Sequence, residues 1–166
     1  MENNNFFSHK ENESTTEASR FLIFSLHNEQ YAVPLLKVKE VIALTETTPV
    51  PYSPSYFKGI MNLRGQVISV IDLRLKLKMP KQDASAETAI IILDLFPLSL
   101  GVIVDSVESV LAVDQKEIQP PPEVGGSNTT YIRGVTKKDK KLILILDIEK
   151  TLSVEDLKAI TAQNAA

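Results

Sequence analysis

Short apolar runs separated by turn-forming clusters recur along most of the chain, the pattern of small strands rather than of long helices. The run from Phe21 to Leu26 and the run from Gln30 to Val33 flank His27 to Glu29, which predicts a hairpin. Leu35 to Leu44 reads as a helical turn that continues as a strand, and Pro49, Pro51 and Pro54 then break regular structure. Gly59 to Leu63 and Gln66 to Ile71 read as two strands around a tight turn at Arg64 and Gly65. Asp72 stands where it would cap a short helix, Leu73 to Lys78, which Pro80 ends. Beyond a polar linker, Lys81 to Glu87, the pattern returns. Strands are predicted near 88–95, 99–104 and 107–113, then a proline-rich loop at Pro120 to Pro122, a hairpin at 132–146, and Asp147 capping a second helix. Ser153 to Thr161 is predicted to form a last surface helix.

The return is a duplication. Phe21 to Ile42 aligns without a gap on Ile90 to Leu111, 69 positions on, and Tyr56 to Leu77 aligns on Tyr131 to Leu152, 75 positions on. The second copy has gained six residues in or near Gln119 to Thr130. Repeat unit one spans about 21–80 and unit two about 88–152, between a disordered tail at 1–20 and a C-terminal helix and tail at 153–166. Each unit, about 60 residues, is marginal alone, so the two are expected to pack together. About five short strands per copy argue for an all-β fold of two small barrels with short helices. Val67, Ile68, Val70 and Ile71, like Leu142 to Leu146, are apolar on both faces of their strands. Both faces must then be covered, which predicts a hydrophobic core between the barrels. Whether strands are exchanged between the barrels is left open, since a duplicated chain can close either way.

Composition changes this picture mainly by exclusion. The 166 residues are 43% hydrophobic with a net charge of −3, acidic and basic residues mixed, which gives no footprint for nucleic acid. The absence of cysteine removes disulfides, thiolate metal sites and cysteine nucleophiles. No apolar run is long enough to span a bilayer, and the N-terminal segment lacks the pattern of a signal peptide. A soluble cytoplasmic protein is expected, with Phe6 and Phe7 the only anchors in its tail. His9 and His27 are the only histidines, too few for a multi-histidine metal site and badly placed for a serine triad. No cofactor, metal or enzymatic activity is expected.

The copies also sort residues. Tyr56 and Tyr131, Gly59 and Gly134, Asp72 and Asp147, and Val38 and Val107 match, which marks them as structural. The glycines are expected to permit a backbone conformation or approach that a Cβ would block. Helix capping explains both aspartates at once and is preferred to a catalytic pair. Arg64, Glu40 and Asn62 face Asp139, Ser109 and Lys137 in the other copy, so the fold does not demand them. Arg64 at a turn is either an ordinary solvated residue or a planar donor fork aimed at a partner. Glu40 and Arg64 could bind a partner, pair with each other, or stay solvated.

The segment GIMNLRGQVISVIDL at 59–73 resembles the signature of CheW-like chemotaxis coupling proteins, and the likeness extends through LLKVKEVI (35–42), LGVIVDSVESVL (100–111), YIRGV (131–135) and LILILDIEKTL (142–152). It covers about 21–152. The resemblance implies two five-stranded SH3-like barrels and a non-catalytic scaffold. That scaffold would link the cytoplasmic tips of methyl-accepting chemotaxis receptors to the regulatory domain of the CheA histidine kinase, in arrays at the inner face of the membrane. It implies receptor-facing roles for Val38, Glu40, Gly59, Arg64, Val107 and Val110, and so favours the partner reading of Arg64; Asn62, set apart by the comparison of the copies, joins this candidate receptor site. It places a kinase contact at Glu123 and Val124, where some members carry an aromatic instead of the valine. An adaptor of a paralogous chemosensory pathway, a nucleic-acid-binding β-barrel and a small hydrolase are the competing readings. Turnover by the protein alone would single out the last.

Overall fold

The structure, a computed structural model, describes residues 19–123, 131–152, 156 and 158. The expected helix at 153–161 therefore lies almost wholly outside the described residues, as do Phe6, Phe7, His9 and Val124. The first half holds β1 (Ser19–Leu26), β2 (Glu29–Pro34), a single 3-10 turn at Leu35–Lys37, β3 (Val38–Ala43), β4 (Phe57–Leu63), β5 (Gln66–Asp72) and helix α1 (Leu73–Lys76). The second half repeats this order with β6 (Ala89–Leu95), β7 (Leu98–Val104), β8 (Ser106–Val113), β9 (Ile132–Lys138), β10 (Lys141–Leu146) and helix α2 (Ile148–Thr151). β1 begins inside the segment assigned to the tail. The cap is as expected, with the Asp72 carboxylate accepting from the Arg74 and Leu75 amides. The helix is shorter than expected, because Lys78 turns into the left-handed region at φ +60° before Pro80 is reached.

Two five-stranded sheets result, ordered β8-β1-β2-β10-β9 and β3-β6-β7-β5-β4. The strands are exchanged: each sheet combines strands from both repeats. In each, one parallel pair, β2 with β10 or β5 with β7, and one antiparallel pair, β1 with β8 or β3 with β6, join the two contributions. Neither ladder closes on itself through its edge strands. Instead, the segment after one edge strand makes a single bridge to the other edge, Thr48 to Ile60 in one sheet and Gln119 to Val135 in the other. The glycines explain themselves here. A Cβ on Gly59, whose φ is +138°, would strike the Thr48 carbonyl, and one on Gly134 would lie 2.5 Å from Ile118 Cγ2.

Three apolar clusters account for the strands that are greasy on both faces. Phe21, Ile23, Ile143 and Ile145 pack within the first sheet, and Ile68, Val70, Ile90 and Ile92 within the second. Between the sheets, Phe24, Leu26, Tyr31 and Val33 meet Phe57, Ile71, Ile91, Leu93 and Leu100 in the largest cluster, with the Phe24 and Tyr31 rings stacked 6.1 Å apart. Thus successive residues of one strand serve different cores, Val70 its own sheet's and Ile71 the shared one. Leu142 departs from the expectation. It stands at the open start of β10, beyond the reach of either core, and is exposed. Ile71→Ala is expected to lower stability by about 2–5 kcal/mol, read as a fall in the urea midpoint with an unchanged slope.

Candidate functional site

The turn between β4 and β5 is built by two residues with positive φ, Arg64 at +52° and Gly65 at +85°, the backbone a twisted two-residue hairpin requires. The Asn62 side-chain carbonyl accepts the Gly65 amide at 2.8 Å and so holds the turn. Asn62 therefore positions Arg64 and is itself exposed. The same conformation recurs at the equivalent turn, Asp139 and Lys140, which shows that the shape does not depend on a cation.

Glu40 arrives from the opposite edge of the same sheet. A register shift between Val38 and Glu40 leaves Lys39 unpaired and re-aims the strand. Arg64 then donates to Glu40 through both terminal nitrogens, Nη1 to Oε1 at 2.6 Å and Nη2 to Oε2 at 3.0 Å. In this structure the two charges pair with each other. The arginine side chain is 74% exposed and the glutamate 26%. Hydrogen bonding to Glu40, and its negative charge, hold the Arg64 guanidinium further above its usual pKa range. The pair ties edge strand β3 to the β4–β5 turn across the gap that strand pairing leaves open. In the other sheet the corresponding gap is crossed by Lys138 Nζ donating to Ser109 Oγ at 3.4 Å, with no opposed charge.

The remaining residues singled out from the sequence fall into three places. Val38 and Val107, on the edge strands β3 and β8 of different sheets, are both half-buried against the shared core. Val110 is exposed on β8, and Gly59 is buried against Thr48. Glu123 is exposed at the end of the proline-rich loop, away from these strands in sequence. Among the described residues no three histidine, cysteine or carboxylate groups converge where they could hold a metal ion.

Sequence reasoning missed a buried charge cluster. Arg74, 4% exposed, lies within 3.3 Å of Asp72 through Nη2 and within 2.9 Å of Asp105, itself 15% exposed, through Nη1. Asp105 Oδ2 also accepts the His27 amide at 2.8 Å, and the His27 ring meets the Pro80 carbonyl through Nε2 at 2.8 Å. Arg74 directly follows the first residue of a helix whose cap was legible, but nothing in its neighbours announces burial. Its opposite number in the second copy is Glu149, and that inversion of charge was the available signal.

A family model for the CheW-like domain matches residues 20–156. The chain belongs to the CheW-like family. It is 34% identical over 143 residues to the chemotaxis protein CheW of Klebsiella aerogenes, covering 86% of each chain. It is 32% identical over 149 residues to CheW of Treponema pallidum, again covering 86% of each. The solved structure of the scaffolding protein TtCheW from Thermoanaerobacter tengcongensis superposes with a TM-score of 0.77 at 34% identity, covering 84% of this chain and 95% of that one. Within this CheW-like fold the two charge pairs differ in kind. The exposed Arg64–Glu40 pair should contribute little to folding, whereas removing one partner of a buried pair leaves an uncompensated charge. Arg74→Ala, which strips Asp72 and Asp105 of their shared cation, is therefore expected to cost about 3–5 kcal/mol in urea unfolding, while Arg64→Ala leaves the midpoint almost unmoved.

Proposed function

We propose that this protein is a non-catalytic adaptor that couples the cytoplasmic tips of methyl-accepting chemotaxis receptors to the CheA histidine kinase. Family membership supports the role, and the observation that carries it to particular residues is the Arg64–Glu40 pair. It is held outside the ladder of the sheet by a turn that does not need it. Arg64 uses only its two terminal nitrogens towards Glu40, so N–H donors remain for a carboxylate or a carbonyl of a receptor helix. We assign Val38, on the same strand as Glu40, and Val107 and Val110, on edge strand β8 of the other sheet, to apolar contact with the receptor, while Asn62 acts by shaping the turn and Gly59 by admitting the Thr48 backbone. Glu123 and Val124 are assigned to the kinase side. Each five-stranded sheet is read as an SH3-like barrel whose last gap is spanned by a bridge and a side-chain pair instead of a full ladder.

Coupling of this sort needs no reaction. An adaptor that binds receptor and kinase with different affinity in their active and inactive states transmits the difference, and the linkage is reciprocal. Interfaces of about 800 Å² per partner or less suffice when an array supplies many at once. Among the described residues no helix is long and apolar enough to cross a membrane, and we place the protein in the cytoplasm, held to arrays at the inner face of the membrane through its partners.

Arg64→Glu is expected to abolish receptor-dependent stimulation of the kinase in a reconstituted assay while the circular dichroism spectrum and urea midpoint stay those of the wild type. The swap Glu40→Arg with Arg64→Glu restores the internal pair and should remain inactive. A swapped protein that signals normally would show that the pair matters only as a brace, and an active Arg64→Glu protein would refute the assignment outright.

A further inference from the structure

The chain passes between the two sheets at two places among the described residues, Leu35–Lys37 from β2 to β3 and Asp105 from β7 to β8. Each connector is met by the second residue of a helix that follows an equivalent strand, Arg74 of α1 and Glu149 of α2. Arg74 Nη1 reaches Asp105 at 2.9 Å, and Glu149 Oε1 reaches Lys37 Nζ at 3.0 Å. The two connectors are thus clamped alike, with the charges reversed.

The clamps are unequal in every other respect. The first is buried, is supported by Asp72, and also grips the β1–β2 turn of the other sheet through the His27 amide. The second is a single contact between side chains 52% and 55% exposed, open to water and to salt. A cavity of about 250 Å³ lies beside it, walled by Val33, Pro34, Leu146 and Ile148 on the side of the first sheet and by Leu93 and Leu95 of the second. Lys37 and Glu149 line the same cavity. The sheets are therefore joined by a buried ion pair at one connector and by a solvent-exposed one, over a packing gap, at the other.

We propose that the two sheets hinge about the Arg74–Asp105 clamp and that Lys37–Glu149 is the latch that closes them. Val38 directly follows the latch residue Lys37, and Val107 lies just beyond Asp105, so the hinge sets the separation of two residues on different sheets. This step rests on the receptor role proposed above for those valines, and it makes the latch a control on how the receptor is held.

The chain contains no cysteine, so nitroxide labels can be placed at Gln66→Cys and Lys141→Cys, exposed equivalent positions at the starts of β5 and β10. Pulsed electron resonance at low salt is expected to give one narrow distance distribution. Glu149→Lys should add a second, longer population, and Lys37→Glu combined with Glu149→Lys should remove it. If the single reversal does not fold, Glu149→Gln replaces it. Unchanged distributions in the variants would overturn the hinge. In co-sedimentation with receptor-containing membranes, Glu149→Lys should bind several-fold more weakly and the swapped protein normally. Altered distances with unaltered binding would overturn the control on receptor grip. Normal binding by Arg64→Glu would instead remove the receptor reading while leaving the distance result to decide the hinge.

Discussion

Each sheet has an inner face that its own strands cannot cover, and the shared core between the sheets is the constraint on which the rest of the structure depends. Phe24, Leu26 and Tyr31 complete their packing on the other sheet, among Phe57, Ile71 and Leu93. Exchange of strands reinforces this dependence, because neither repeat forms a complete sheet from its own residues. The edge strands β3 and β8 consequently both pack against a common interior. A surface assembled from both sheets, as one containing Val38 and Val107 must be, keeps its shape only while that interior is intact.

Within this frame, the polar residues divide by what surrounds them. Arg74 is enclosed with Asp72 and Asp105 and serves the joining of the sheets. Arg64 stands in solvent with Glu40 and contributes little to folding, and on the reading proposed above it serves partners instead. The same chemical pair, arginine with carboxylate, has opposite consequences because desolvation is severe in one place and slight in the other. In the free protein Arg64 and Glu40 largely neutralise each other, so a partner must offer directional hydrogen bonds and not merely charge. That is a route to specificity without strong non-specific attraction.

Much of this was legible in the sequence. The duplication, the hairpins, both capping aspartates and the need for a core between the sheets follow from period, turn residues and strands apolar on both faces. The copy comparison also set Arg64 and Glu40 apart as positions where the repeats differ, and the same test applied to Arg74 and Glu149 picks out a buried pair, so difference alone does not mark a site. What escaped is physical in origin. Strand exchange could not be read because both closures satisfy the same alternation. The burial of Arg74 depends on Asp105 and on the His27 amide, groups distant in sequence. The exposure of Leu142 depends on where β10 begins relative to the cores, which no periodicity specifies.

Two interlocked sheets, a buried clamp and a solvent-facing charge pair together describe a body built to be held by others. The most direct measurement is co-sedimentation with receptor-containing membranes, with and without the CheA kinase. The account predicts that the protein pellets with the membranes and brings the kinase down with it, while kinase alone stays in the supernatant. A kinase that sediments equally well without this protein, or a protein that never leaves the supernatant, would contradict it.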